Sequence, residues 1–183
     1  DLVTEPIDHV EPDAVVTGDG VRHPADMIIM ATGFQAARML APMDIVGRGG
    51  RVLRDDWGDE DPRAYLGMTM PGFPNFFVLY GPNTNLGHGG SIMFHTECQV
   101  RYVMKCLRHL IEGGHGSMEC RAEIHDAFNA RVDAAHENMV WTHPGTDNWY
   151  RNSKGRVITN SPWRLVDYWT MTETPELDDF IVA

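Results

Sequence analysis

Gly81-Pro82-Asn83-Thr84-Asn85-Leu86-Gly87-His88-Gly89-Gly90-Ser91 separates a short, aromatic-rich apolar run, Pro74-Asn75-Phe76-Phe77-Val78-Leu79-Tyr80, from a long stretch with helical periodicity. The first run reads as a buried strand. Beyond the glycines, Ile92, Thr96, Val100, Val103, Leu107, Leu110 and Ile111 recur at helical spacing until Gly113-Gly114. A helix is therefore expected from Ser91 to about Glu112, with that face packed on a sheet. Strand, glycine-rich turn and helix in this order indicate an α/β fold. Gly87, Gly89 and Gly90 let the backbone approach a ligand closely, and Ser91 is a good N-cap. Unsatisfied N–H groups and about half a positive charge at a helix N-terminus favour an anion or a partly negative carbonyl edge. Phosphate and flavin both meet that requirement.

Upstream, Ala14-Val15-Val16-Thr17, a Gly18-Asp19-Gly20 turn and a return toward Met27-Ile28-Ile29-Met30 read as a hairpin leading into a strand. The continuous apolar character of residues 27 to 30 is that of a strand covered on both faces, as in parallel sheets. Leu2-Val3 reads as the inside of another strand. Residues 35 to 72 have mixed character, so irregular structure with short strands is expected there. A second helix is expected from about Ala122 to Met139, presenting Ile124, Phe128, Val132, Ala135 and Met139, and stopped by His143-Pro144-Gly145. Ser161-Pro162 has the form of an N-cap followed by proline at the first helical position, starting a short helix with Trp163, Val166 and Trp169. The acidic stretch Glu173 to Asp179 reads as solvated.

Composition narrows the function class. With 183 residues, 43% hydrophobic and 22% charged, the chain can bury a core. A formal charge of -11 gives no electrostatic footprint for nucleic acid or an anionic membrane surface. Cys98, Cys106 and Cys120 are odd in number and lack C-x-x-C spacing, which argues against a disulfide framework or zinc ribbon and favours a cytoplasmic setting. No apolar run approaches the ~20 residues of a membrane span. His88 with His95, and His109 with His115, lack metal-ligand spacing, so no metal is expected.

Four segments carry a family resemblance: Asp26-Met27-Ile28-Ile29-Met30-Ala31-Thr32-Gly33-Phe34, Pro71-Gly72-Phe73-Pro74-Asn75-Phe76-Phe77, the Gly81 to Ser91 run, and Asn148-Trp149-Tyr150-Arg151-Asn152-Ser153-Lys154-Gly155-Arg156. In this order the chain, from about Asp1 to Trp169, resembles the C-terminal part of a class B flavoprotein monooxygenase. The variant is closest to Baeyer–Villiger monooxygenases of the hydroxyacetophenone monooxygenase type. The resemblance implies part of a Rossmann-like, FAD-binding domain of a two-dinucleotide-binding flavoprotein, with C-terminal helices and a lid loop. Residues 1–34 would form a β-hairpin and strand joining the NADP and FAD domains, and residues 35–183 the C-terminal part of the FAD-binding domain with its lid.

The implied cofactors are FAD and NADP: NADPH reduces FAD, O2 adds at the flavin C4a, and the peroxide attacks a ketone or a soft heteroatom. Implied cofactor contacts are Thr32 and Gly33 after the buried strand; Asn83, Asn85, Leu86, Gly87, His88, Gly89, Gly90 and Ser91 against the isoalloxazine ring; and Trp149 over the nicotinamide side of NADP. His88 is expected to shape the pocket rather than act as an acid or base. The family's two G-x-G-x-x-G loops, the fingerprint between them and the arginine beside the flavin have no counterpart here. Catalytic residues are therefore expected upstream, in a missing N-terminal part of the same enzyme, and the chain alone is expected to be inactive. Two rival readings are an N- or S-oxygenating flavin monooxygenase and a non-catalytic interaction module that keeps a flavoprotein-like core.

Overall fold

The computed structural model describes residues 1–183 apart from His88 and Asp147. It divides into two compact units, Asp1–Phe34 and Gln35–Ala183. In the first, β1 (Ile7–Glu11), β2 (Ala14–Thr17) and β3 (Arg22–Pro24) form an antiparallel sheet with β2 at its centre. The register pairs Val10 with Val15 and Val15 with His23. The Gly18-Asp19-Gly20 turn forms as its residues suggest: the Asp19 carboxylate accepts from Thr17 Oγ1 at 2.6 Å and from Val21 N at 3.1 Å, while Gly20 takes φ +80°. Those two bonds hold the Asp19 carboxyl below its usual range.

The strand expected at Met27–Met30 does not form. These residues are irregular and open to solvent, with Met27 80% and Ile29 82% exposed. Leu2 and Val3 are also exposed and outside any strand. A doubly covered strand needs ladder partners on its edges and layers on its faces. Within this unit, among the described residues, the hairpin supplies neither to residues 27–30.

The second unit carries α1 (Leu53–Trp57), α2 (Ile92–Gly113), β4 (Met118–Cys120), α3 (Ala122–His136), α4 (Leu165–Met171) and β5 (Phe180–Val182). β4 and β5 pair antiparallel, Glu119 opposite Ile181. Local signals set the α2 ends closely. Ser91 Oγ accepts from Phe94 N at 3.3 Å, and Gly114, at φ +67°, turns the chain out while its N–H returns to the last-turn carbonyls.

The packed face of α2 differs from the expected one: His95, Cys98, Gln99, Tyr102, Cys106 and Leu110 are buried. Ile92, Val100 and Ile111 are exposed. This face packs against α4, α3 and the small β4-β5 sheet, where Tyr102 and Cys106 join Met118, Phe128, Val132 and Phe180 in one core, with Val103 and Leu107 of the expected stripe at its edge. A second cluster gathers Leu53, Trp57, Met70, Phe73 and Val78. Burial raises the Cys106 and Cys120 thiols to about 12, which makes them inert core groups.

Three further expectations change. Pro74–Tyr80 is not a strand; it is held by isolated contacts, Asn75 to Gly116 and Met118 and Val78 N to Met68 O at 2.9 Å, and Leu79 and Tyr80 are exposed. α4 begins at Leu165 rather than at Pro162, because Ser161 Oγ closes a local turn on Trp163 N at 3.2 Å. The acidic tail is partly built in: Asp179 accepts from Tyr65 Oη at 2.5 Å, and the residues after it enter β5. Among the described residues, no helix is long and apolar enough to cross a membrane.

Candidate functional site

The segment before α2 is built from two unlike halves. In the first, Tyr80 and Asn83 sit at φ +55° and +57°, a region that asparagine tolerates better than most residues. Asn83 is buried and its amide is fully engaged: Nδ2 donates to Val157 O at 2.8 Å and Asn160 O at 3.3 Å, and Oδ1 accepts from Arg156 Nη2 at 3.2 Å. Thr84, also buried, closes the turn by donating to Gly81 O at 2.7 Å.

Asn85 pairs as a parallel bridge with Asn160. Its backbone N–H reaches Thr159 O at 2.8 Å, its carbonyl takes Ser161 N at 2.8 Å, and its Nδ2 donates to Asn160 Oδ1 at 2.6 Å. Tyr80 Oη donates to Asn85 Oδ1 at 2.5 Å. Asn83 and Asn85 therefore bind the loop to residues 157–161, and their amide groups are spent inside the protein. Gly81 and Gly87 serve the same packing. A Cβ on Gly81 would lie 2.3 Å from Gly67 O, and one on Gly87 would lie 2.6 Å from Asn160 Nδ2. These two glycines are demanded by close approach of protein to protein.

The second half is open. Gly89 and Gly90 have φ +104° and +113°, and Gly89 has nothing within 4 Å of a would-be Cβ, while Gly90 faces Leu165 at 2.6 Å. Gly89, Gly90 and Ser91 are exposed, Leu86 is half-buried, and the first turn of α2 contains no acidic residue. The helix's own first turn therefore does not offset the partial positive charge of its N-terminus, which lies beside an accessible main chain. His88 lies outside the described residues.

Behind the loop, Tyr80 N–H donates to Gln99 Oε1 at 2.9 Å, Gln99 Nε2 donates to Tyr168 Oη at 3.0 Å, and Tyr168 Oη donates to Leu66 O at 2.8 Å. This relay ties the loop entrance to α2 and α4. His95 stacks on Tyr168 at 3.7 Å between ring centroids, and burial lowers its pKa to about 4, so the ring is neutral.

His136 is a second neutral imidazole, its pKa lowered to about 4 mainly by burial. The indole N–H of Trp141 can only donate, and it points at His136 Nδ1 at 3.0 Å. Nε2 therefore carries the proton and donates to Asn160 O at 3.0 Å.

Trp149 is 57% exposed, its ring tilted against Tyr150 at 4.4 Å between centroids. It is not a buried aromatic anchor. The chain around it is tethered at Asn148, whose Nδ2 donates to Trp141 O at 3.0 Å, and at Ser153, which donates through N and Oγ to the Glu60 carboxylate. Thr32 and Gly33 belong to the first unit, where both are exposed and Gly33 takes φ +78°.

Arg156 is a residue that the sequence did not single out and on which several segments converge. Its side chain is 10% exposed; Nε donates to Asp133 Oδ1 at 2.8 Å, and Nη1 to Asp61 Oδ1 at 3.2 Å and Pro62 O at 3.1 Å. Nη2 reaches Asn83 Oδ1 at 3.2 Å and Asn129 Oδ1 at 3.5 Å. Arg63 shares Asp133 from the other side at 3.1 Å. The only sequence signal was an arginine at the end of the Asn148–Arg156 motif; its partners lie up to 95 positions away.

Known proteins match both the sequence and the fold. A monooxygenase of Sinorhizobium fredii is 46% identical over 171 residues, covering 93% of this chain and 26% of the relative. An FAD-binding monooxygenase of Aspergillus niger is 36% identical over 186 residues, covering all of this chain and 30% of the relative. A Baeyer–Villiger monooxygenase of Pseudomonas aeruginosa is 36% identical over 168 residues, covering 90% and 32%. Among solved structures, an oxidised steroid monooxygenase bound to NADP superposes with TM-score 0.79 at 29% identity, covering 97% of this chain and 34% of that one. No protein-family model matches the chain. The chain spans about a quarter to a third of the length of these curated relatives. On sequence and fold together, the chain corresponds to the C-terminal part of a flavoprotein monooxygenase, and Baeyer–Villiger monooxygenases are among its relatives.

Proposed function

We propose that this chain supplies the flavin-edge cradle and cofactor cover of an FAD- and NADPH-dependent monooxygenase that inserts oxygen beside a ketone carbonyl. The observation that carries this reading is the open half of the loop, where exposed main chain at Gly89 and Gly90 meets an α2 N-terminus without acidic residues. The residues present fit the edge of a flavin. Small side chains admit a planar ring, and a favourable helix-terminus interaction of up to ~2 kcal/mol would stabilise negative charge there by roughly 30-fold. Bound FAD would supply hydride acceptance from NADPH and activation of O2.

In this proposal the residues divide their work. Leu86, Gly87, Gly89, Gly90 and Ser91 present backbone and small surface to the ring. Asn83 and Asn85, whose amides are spent within the protein, shape the cradle from behind. Trp149, exposed on a tethered loop, offers a large apolar plate with one N–H donor, suited to covering a cofactor and excluding water. Thr32 and Gly33 are proposed as further cofactor contacts. Residues 1–34 are proposed as the connection between NADP and FAD domains and residues 35–183 as the C-terminal part of the FAD domain.

The test uses the full-length protein that carries this chain, alongside the 183-residue chain alone. The expected result is that the full-length protein binds FAD and converts a ketone to an ester with one NADPH consumed per product, while the isolated chain retains no flavin after gel filtration and is inactive. Oxygenation of amines or sulfides without any ester would replace the ketone assignment. A full-length protein that neither binds flavin nor oxidises NADPH would overturn the enzyme reading.

A further inference from the structure

Arg156 draws acceptors from separate stretches of the chain, the 61–62 turn, α3 and the loop before α2, onto one guanidinium. Its charge is offset locally. Arg156 and Arg63 face Asp133 and Asp61, two cations against two carboxylates, which is the arrangement that makes a nine-tenths buried arginine tolerable. The contact with Asn83 adds no charge neutralisation, so its consequence is directional.

Asn83 Oδ1 faces the guanidinium, and Nδ2 faces two carbonyls, Val157 O and Asn160 O. A flipped amide would set NH2 against NH2 on one side and oxygen against two oxygens on the other. Arg156 and the two carbonyls together permit a single amide orientation, which joins residues 81–87 to Arg156 and to residues 157–160. Arg156 also lies beside the Trp149 loop, which closes on itself through Asn152 N to Arg156 O at 2.9 Å and Arg156 N to Asn152 Oδ1 at 2.9 Å. A lysine could neutralise Asp133 but could not address Asp61, Asp133 and Asn83 together, because it lacks the planar fork.

We propose that Arg156 is a positioning residue that locks the loop before α2 and the Trp149 loop into one body, through the amide of Asn83. Its relevance to a cofactor rests on the cradle reading above. Arg156 acts on the cradle without touching the ring.

Arg156→Lys, Asn83→Gly and the double variant test this in the full-length protein. Glycine accepts the positive φ of Asn83 and removes only the amide. The primary readout is amide hydrogen exchange in peptides covering 81–87 and 148–157, with the buried half of α2 as internal reference. Each single substitution is expected to speed exchange in both loops by at least about tenfold, the size of the one directional bond between Arg156 and Asn83 that both remove. The reference is expected to hold, and the double variant to exchange no faster than the single ones. Rate increases that multiply in the double variant, or an equal rise in α2, would show that Arg156 acts as a general fold contact and overturn the proposal. Should Arg156→Lys not fold, Asn83→Gly decides alone: unchanged exchange at 148–157 defeats the lock. The FAD dissociation constant, measured on the same proteins, separates the two readings. Coupled loosening with unchanged FAD affinity keeps the lock and removes the cradle, whereas weaker FAD binding with coupled loosening supports both.

Discussion

Residues 83–85 and residues 89–91 belong to one glycine-rich segment, yet their polar groups have opposite fates. In the first half the side-chain amides and hydroxyl are bonded to named protein partners, and the neighbouring glycines leave room for other protein atoms, the Gly67 carbonyl at Gly81 and the Asn160 side chain at Gly87. In the second half the main chain is exposed and the glycine at 89 faces open space. A glycine-rich loop is thus two devices in sequence, a frame made by packing and a surface left free. Substitutions in the frame should cost stability, and substitutions in the free half should cost ligand binding.

The sharpest challenge to this contrast is acid. His136 holds the frame through Asn160, and His95 sits under it against Tyr168; both are neutral with pKa lowered to about 4 from 6.5. Between those values the unfolded chain binds protons that the folded chain refuses. Their stabilisation is complete above about pH 6.5 and is lost as pH falls toward 4. At 1.36 kcal/mol per pH unit this is roughly 3 kcal/mol per histidine. Urea unfolding across pH 4 to 7 should show a steep acid loss that is flattened in His136→Gln; equal slopes in both proteins would remove His136 from the frame.

Arg156→Met should cost about 3 kcal/mol, because it leaves Asp61 and Asp133 short of a cation while breaking the Asn83 contact; their partial exposure keeps the cost at the low end for broken ion pairs. The checking measurement is the urea midpoint, with the slope compared to ensure the same transition. Gly81→Ala follows at about 2 kcal/mol, since its Cβ would meet Gly67 O, a backbone atom that yields only if the turn moves.

Gly89→Ala meets no neighbour, and its cost of about 1 kcal/mol is conformational, from φ +104°. Its larger effect is expected in FAD occupancy, read from the flavin-to-protein absorbance ratio of the full-length protein. Gly90 is a poorer probe of the free surface, because a side chain there would strike Leu165 before any ligand. Smallest of all, Trp149→Ala should change stability by less than about 0.5 kcal/mol, as expected for an exposed ring. Product formed per NADPH consumed is where its loss should register. A large fall in melting temperature with full coupling would place Trp149 in the frame instead.

Much of this could be read from the chain directly. Ser91 as cap and Gly114 as terminator bracket α2 because both act through hydrogen bonds within one helical turn. The Asp19 turn is equally local. The α3 start at Ala122 and the buried Phe128 and Val132 also followed from spacing, although the helix stops at His136, short of Met139.

Where partners are distant, spacing failed. Met27–Met30 and Pro74–Tyr80 have strand-like composition, but a strand exists only when another strand pairs with it, and neither run has one among the described residues. On α2 the aliphatic stripe suggested one face, while the tertiary neighbours selected another containing His95, Gln99 and Tyr102: Tyr80 N and Tyr168 Oη satisfy the Gln99 amide, and the His95 ring is covered by stacking on Tyr168. The convergence of Arg156 on Asp61, Asn83 and Asp133 was equally hidden. An arginine's charge is visible in a sequence, but which carboxylates and amides will surround it is decided only when segments far apart in the chain are brought within hydrogen-bond range. The sequence by itself determined the caps, the turns and the glycine-rich segment, since each rests on the conformational limits of a few adjacent residues. Only the tertiary structure decided which half of that segment is frame and which is free surface, because burial and partner choice belong to the packed chain.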